Sequence, residues 1–289
     1  MEAFVKDETT RFDGSPDKDR DDEKVSSVSA EFYDKTGRKA RGIQWVIRER
    51  PVSLYLNGRE LVTLLCAGHH LEELAVGFLH GEGFVQTLDD LVGVKVDQAA
   101  GKVEVTTSKD APLANELWMK RTITSGCGKG SLFYYALDAL LGKPVESSLR
   151  ISPEQVWGRV EDLNKSSETY RRTHGVHNTA LATPGEIVLF RDDIGRHNAV
   201  DMIVGYGFLN SVSLNDKLLI TTGRLTSEIL IKAAKVGIPA LVSRNTATSL
   251  AIELAASLNI TLIGYARAGK FTVYSGGERI AEMALGQGS

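Results

Sequence analysis

The sequence predicts an α/β protein: a mainly parallel or mixed sheet covered by helices, preceded by a smaller β-rich α+β part. Two observations carry this. From Ile187 onward, strand-like and helix-like segments alternate at a spacing of about 20 residues, the signature of βαβ units. Between Val28 and Thr106 the segments are instead short and, apart from one helix, β-like, with the turn signals Asn57-Gly58 and Ala100-Gly101. With 289 residues, 42% of them hydrophobic and 25% charged, the chain is long enough to bury a substantial core without disulfide staples.

The elements follow in order. Met1 to Lys24 is rich in charged residues and lacks the apolar core of a signal peptide; residues 1–27 are expected to form a disordered tail. Ser29–Tyr33, Ile43–Ile47, Val52–Leu56 and Leu61–Leu65 read as strands, the last two joined by a type I′ turn whose central residues both need positive φ. Leu71–His80 places Leu71, Leu74, Ala75, Phe78 and Leu79 at helical spacing, and Gly81 and Gly83 end it. Val92–Val96 and Lys102–Thr106 form a second hairpin. Leu132–Leu141 is helical and closed by Gly142 and Pro144; Pro153–Ser166 is helical, with Ser152 as cap and Pro153 in the first turn. Arg171–Asn178 shows no periodicity and reads as a polar loop with potential chemistry. Ile187–Phe190, Lys217–Thr222, Ala240–Ser243 and Thr261–Tyr265 are strands. They alternate with helices over Asn198–Phe208, Ser227–Val236 and Ser249–Leu258. Phe271–Gly277 is a strand running into a glycine turn. Expected domains are 28–125 and 126–289.

Composition excludes several function classes. The 34 basic and 37 acidic residues give a net charge of −3, without the clustered positive charge of a generic nucleic-acid binder. No apolar run reaches the roughly 18 residues of a membrane helix. Two cysteines, Cys66 and Cys127, cannot build a disulfide framework or a four-thiolate metal site, and the setting they suggest is reducing and cytoplasmic. His70-Leu71-Glu72 matches the H-x-E of zinc nucleobase deaminases, but the companion P-C-x-x-C is absent and no zinc is expected. There is no P-loop or G-x-G-x-x-G.

Cys127 stands out within Thr124-Ser125-Gly126-Cys127-Gly128-Lys129-Gly130-Ser131. A helix start and Lys129 could lower its thiol pKa, and glycines leave access to the sulfur. The same residues also fit a small buried side chain in a turn. Cys66 closes an apolar strand and reads as packed. Three strand-to-helix junctions, Asp192–Asn198, Thr221–Arg224 and Arg244–Thr246, carry Arg196, Arg224 and Arg244 at the sheet edge where α/β proteins bind ligands. Guanidinium forks and helix N-termini suit phosphate oxygens; capped helix starts with solvated arginines are the plainer alternative. Asp192 and Asp193 are either acid-base groups or, as expected here, orient Arg196 and the helix N-terminus, and His174, His177 and His197 are candidates for proton transfer or ligand hydrogen bonds. Phe271–Gly277 is either an edge strand or a surface for a planar ligand.

Taken together, Val52–Gly58, Leu74–Leu79, Ser125–Gly128, Asp193–Asp201, Thr222–Arg224 and Phe271–Tyr274 resemble the FdhD family of formate dehydrogenase accessory sulfurtransferases. The resemblance covers nearly everything from Val28 onward, and Gly195-Arg196-His197-Asn198-Ala199-Val200-Asp201 is a specific string. It implies a cytidine deaminase-like three-layer αβα core without zinc. It further implies sulfur received as a persulfide on Cys127 from a cysteine desulfurase and passed to molybdenum bis-molybdopterin guanine dinucleotide for formate dehydrogenase. Phe271, Thr272, Val273, Tyr274, Ser275 and Gly276 match the cofactor-binding stretch, and Arg196, His197, Asn198, Gly223 and Arg224 would suit the guanine dinucleotide ends. Many members carry a second cysteine three residues after the first, where this chain has Gly130, so a C-x-x-C dithiol cannot operate here. The missing cysteine keeps open a second reading, a non-covalent chaperone for the cofactor. Nucleic acid and membrane are not expected partners; a homodimer is an open expectation.

Overall fold

The computed structural model describes residues 23–108 and 143–281. Cys127 with its glycines, the expected helix Leu132–Leu141 and residues 1–22 lie outside the described residues. A two-stranded ribbon, β1 (Val25–Tyr33) and β2 (Lys39–Ile47), leads into β3 (Arg50–Leu56), β4 (Arg59–Cys66), α1 (Leu71–Gly81), β5 (Leu91–Asp97) and β6 (Lys102–Thr107). Then come α2 (Pro153–Ser166), α3 (Glu168–Thr173), β7 (His177–Ala182), β8 (Ile187–Asp193), α4 (Arg196–Leu209), β9 (Leu218–Thr221) and α5 (Ser227–Lys235). The chain closes with β10 (Ala240–Ser243), α6 (Ser249–Ser257), β11 (Thr261–Arg267) and β12 (Lys270–Ser275).

The strands form a four-stranded sheet in the order β4-β3-β6-β5 and a six-stranded sheet in the order β12-β11-β10-β9-β7-β8. Parallel pairing in the large sheet is confined to β9, β10 and β11; β7, β8 and β12 pair antiparallel, so the sheet is mixed. Successive residues of β9 face opposite ways. Leu219 joins Val200, Ile203, Ile229 and Ala251 of α4, α5 and α6 on one face. Leu218 and Ile220 join Val156, Val160 and Leu163 of α2 on the other. This is the α/β/α layering.

Local chemistry explains the elements. Asn57 (φ 49°) and Gly58 (φ 78°) both take the left-handed conformation that a two-residue hairpin turn requires. Ser152 accepts from the Gln155 amide while the Gln155 side chain returns to the Ser152 amide, a capping box that starts α2.

Two expectations are corrected. Arg171–Asn178 is a loop only over His174–Val176: Arg171–Thr173 ends α3, and His177-Asn178 opens β7. The strand hides its period because it is buried on both faces from Asn178 to Ala182 and begins with polar residues. β1 begins at Val25, inside the stretch assigned to the tail; its base is fixed by Lys24, whose carbonyl accepts from the Arg48 amide at 2.7 Å.

The two sheets are joined through a helix pair. α1 packs Leu74, Ala75, Phe78 and Leu79 against Val52, Leu54 and Val105 of the small sheet, and Met202 of α4 completes that cluster. Gly77 and Gly205 meet where α1 crosses α4. A Cβ on Gly77 would fall on the Asp201 carbonyl oxygen, and one on Gly205 on the Glu73 carbonyl oxygen. Glu73 is also held by Arg191 of β8 through two bonds of 2.6 Å. Asp201 pairs with Lys232 of α5 at 2.5 and 2.7 Å. Burial opposes the Lys232 charge, but Asp201, with help from Glu82 and Glu228, outweighs it and holds its pKa above the ordinary value.

Gly205→Ala is therefore expected to destabilise the fold by about 3 kcal/mol or more, because rigid backbone must move. Gly158→Ala, in α2 with nothing within 4 Å of the new methyl, should stabilise it by about 0.5–1 kcal/mol. Urea denaturation of both variants checks the contrast.

Candidate functional site

The topology gathers one edge of the large sheet. β9 and β10 are parallel, so Thr221 and Ser243 end side by side. β7 runs the other way and brings His177 and Asn178 to the same edge, opposite Asp193 and Asp192 at the end of β8. All three junctions expected from the sequence thus converge, joined by the start of β7.

The two aspartates brace this edge. Asp192 accepts from Lys24 Nζ at 2.8 Å and from Ser167 Oγ at 2.9 Å, fixing the ribbon's base and the start of α3. Asp193, fully buried, accepts from the Ala67 amide at 2.7 Å, the Gly195 amide at 2.9 Å and Asn198 Nδ2 at 2.7 Å. Asn198 Nδ2 also reaches the Leu65 carbonyl at 2.8 Å. The end of β4 is thereby locked to the start of α4. The expected orienting role of the aspartates holds for the helix start; their partners do not include Arg196. Asn198 is spent in the same clamp rather than being available to a ligand.

The loops after β9 and β10 are tied together by hydrogen bonds. Gly223 N donates to Thr221 Oγ1 at 3.1 Å, Ser243 Oγ donates to the Gly223 carbonyl at 2.6 Å, and Asn245 N donates to Ser243 Oγ at 2.9 Å. Thr222 and Asn178 exchange backbone and hydroxyl bonds of 2.9 and 3.0 Å. Gly223 lets the Arg196 stem lie against the backbone, since a Cβ there would stand 2.8 Å from Arg196 Cβ. Around this frame, buried polar atoms have no hydrogen-bond partner among the described residues: Arg196 Nε, Arg244 Nε, Asn178 Oδ1 and Thr226 Oγ1. Arg244 uses Nη1 on Asn164 at 2.7 Å, and Arg224 is exposed. The open donors among these, Arg196 Nε, Arg244 Nε and Thr226 Oγ1, fit oxyanions such as phosphate, whereas Asn178 Oδ1 can only accept.

Histidines stand among them. His197 Nε2 lies 3.0 Å from Glu228 Oε2 in the first turn of α5. Burial, then Arg196 and His197, lower the pKa of His177. His174 is away from this group: it caps α3 with φ 52° and stands edge-on to Tyr170. Asn178 enters the sequence reading only as the end of a polar stretch with potential chemistry, and Thr226 and Glu228 are not singled out; the fold brings them to the edge that carries Arg196 through Thr222 and His197. His69, beyond β4, is a further buried histidine whose pKa burial pushes down to about 4, helped by Lys24 and Arg50. His70 closes on Glu73 at 3.8 Å, and no metal-ligand group of three or more His, Cys, Asp or Glu occurs among the described residues. No helix among them is long and apolar enough to cross a membrane.

The stretch Phe271–Gly276 does not lie wholly on this edge. Thr272 pairs with Gly264 near the end of β11, and Phe271 packs beside Trp157 at 5.8 Å. Ser275 pairs with Leu262, and Gly276 is pressed on Thr261 at the opposite end of the strand. Cys66 is sealed: fully buried, its thiol donating to the Arg50 carbonyl at 3.7 Å, with its pKa pushed to about 12 by burial and then by Asp193.

Similarity to known proteins follows this geometry. The FdhD/NarQ family model matches residues 47–281. The sulfur carrier protein FdhD of Bacillus subtilis (strain 168) is 40% identical over 260 residues, covering 90% of this chain and 99% of that protein. The protein of the same name from Halalkalibacterium halodurans is 40% identical over 237 residues, 81% and 88% of the two chains. A crystal structure from Desulfotalea psychrophila, described as a formate dehydrogenase accessory protein, superposes with a TM-score of 0.73 at 26% identity, covering 89% and 99%.

Asp193 yields a pH test. Burial raises its pKa from 3.8 to about 6 despite the three donors that favour the anion. Between about pH 4 and 6 the folded protein then binds a proton that the unfolded chain has released. Stability from this group is highest below that window and falls by about 2–3 kcal/mol as pH rises through it. Asp193→Asn should remove that slope from the pH dependence of the denaturation midpoint.

Proposed function

Because the chain belongs to the FdhD/NarQ family, we propose that it is a sulfurtransferase serving a formate dehydrogenase: it accepts sulfur from a cysteine desulfurase on Cys127 and passes it to molybdenum bis-molybdopterin guanine dinucleotide. The observation that most supports this is the state of the other thiol. The chain has two cysteines, and Cys66 is sealed and kept protonated at neutral pH, which leaves Cys127 to carry sulfur. In the loading step the Cys127 thiolate attacks the outer sulfur of the desulfurase persulfide. The new S–S bond forms as the desulfurase S–S bond breaks, and the electron pair leaves on the desulfurase thiolate. No external oxidant is needed, and Gly130 is no obstacle, because a single thiol suffices.

The cargo's phosphates would suit the sheet edge, where Arg196 Nε and Arg244 Nε have no partner among the described residues and Arg224 reaches solvent. Gly223 keeps the backbone low beneath them. His197, with Glu228 beside it, is placed to hold a proton at this edge. Phe271 and Thr272 are the part of the cofactor-binding stretch near it; Ser275 and Gly276 would contact a ligand only if it extends along β12. The molybdenum supplies the acceptor for sulfur when the cargo is bound. The proposed setting is reducing and cytoplasmic, where a thiol persists.

Incubation with desulfurase and cysteine, followed by peptide mass spectrometry, is expected to show one added sulfur on the Cys127 peptide, retained in Cys66→Ala and absent in Cys127→Ala. Equal sulfur in Cys127→Ala would sink the assignment. The missing second cysteine supports a different pattern for a non-covalent chaperone: Cys127→Ala would still activate formate dehydrogenase, whereas Arg196→Ala and Arg224→Ala would not.

A further inference from the structure

Tyr265 is an outlier at this edge. It lies near the end of β11 with φ 52°, in the left-handed region that a residue bearing a Cβ avoids, and the residue is 43% exposed. An aromatic residue gains nothing from solvent exposure, so its own packing does not explain the conformation. The backbone around it is over-determined. Its amide donates to the Asn245 carbonyl at 2.8 Å, and the β11–β12 register shifts between Gly264 and Arg267. At Gly264 a Cβ would stand 2.7 Å from the Tyr274 ring and 3.0 Å from the Asn245 oxygen, so no side chain fits there. Such bulges re-aim a side chain next to functional sites. The Tyr265 ring is left open to solvent with the Arg267 guanidinium 5.7 Å from its centroid. Arg244, whose Nε is buried and unpartnered among the described residues, precedes Asn245 in the chain.

An exposed aromatic ring backed by a guanidinium is what a planar heterocycle stacks on, and unpartnered arginine donors are what its phosphates require. We propose that Tyr265, with Arg267, is the stacking platform for the planar ring of a nucleoside diphosphate moiety whose phosphates lie along Arg196, Arg224 and Arg244. The proposal rests on the cargo-binding reading above and adds its specificity-determining residue. The strain at Tyr265 is then kept for binding and not for folding.

Calorimetric titration of the full chain with guanosine diphosphate and with inorganic pyrophosphate tests it. The wild type should bind both, the nucleotide more tightly. Tyr265→Ala should weaken the nucleotide about 10-fold or more and leave pyrophosphate unchanged, and Tyr265→Phe should bind both as the wild type does. Tyr265→Gly should lose nucleotide affinity equally while melting at the same or a higher temperature, because glycine accepts the left-handed backbone. Wild-type nucleotide affinity in Tyr265→Ala, or equal loss of both ligands, would overturn the platform. If the wild type binds pyrophosphate but favours the nucleotide no further, the platform fails and the anion edge stands. If it binds neither, the edge reading fails and the platform with it.

Discussion

The crossing of α1 over α4 at Gly77 and Gly205 is the contact on which the remaining architecture depends. Backbone touches backbone there, with no side chain to yield, so the distance between the two helices is fixed. That distance sets how the small sheet approaches the large one. Only with the helices this close can the end of β4 reach Asp193, and only then does the Ala67 amide share a carboxylate with the first turn of α4. The buried Lys232–Asp201 pair and the Arg191–Glu73 fork then bind α5 and β8 to the same two helices. Each of these pairs would be costly if one member were lost, because the other would remain as an uncompensated charge in a poorly hydrated place.

The sheet edge is the counterpart of this rigidity. Its frame is internally bonded: Thr221, Ser243, Gly223 and Asn245 bond one another, and both aspartates accept on each oxygen from the scaffold. Among the described residues, the open valences at this edge sit on two arginines, an amide oxygen and a hydroxyl beside that frame. An edge that satisfies its framework and leaves a coherent set of groups open separates the cost of holding a ligand from the cost of holding itself. Asp192 and Asp193 are committed to the scaffold, facing Lys24, Ser167, backbone amides and Asn198 rather than the arginines.

Much of this was legible in the sequence, for identifiable reasons. Strand-helix alternation alone implies that Arg196, Gly223 and Arg224 share one edge, because every βα junction of a parallel pair lies at the same end. Asn57-Gly58 was legible because few residue pairs tolerate two positive φ values. The start of β7 was not: His177 and Asn178 are polar, and a strand covered on both faces has no alternation to reveal it. β1 was read short because its first turn of pairing is made of serines and anchored by Lys24, whose partner lies 168 positions away. Tyr265 gave no signal, since a backbone outlier is a property of the folded strand and not of its composition. The ambiguity at Asn198, ligand group or scaffold, could be resolved only by seeing the clamp it completes.

The burial of Cys66 bears on how long a sulfur atom could be stored. A persulfide on one thiol is commonly discharged by a neighbouring thiolate of the same protein, which expels the outer sulfur and leaves a disulfide. With Cys66 enclosed and protonated, and Gly130 in place of a second nearby cysteine, that internal exit is closed in the folded chain. The lifetime of carried sulfur would then be set by encounters with outside thiols or with the intended acceptor. Leakage becomes a matter of access and competition between partners, not of the protein's own redox poise.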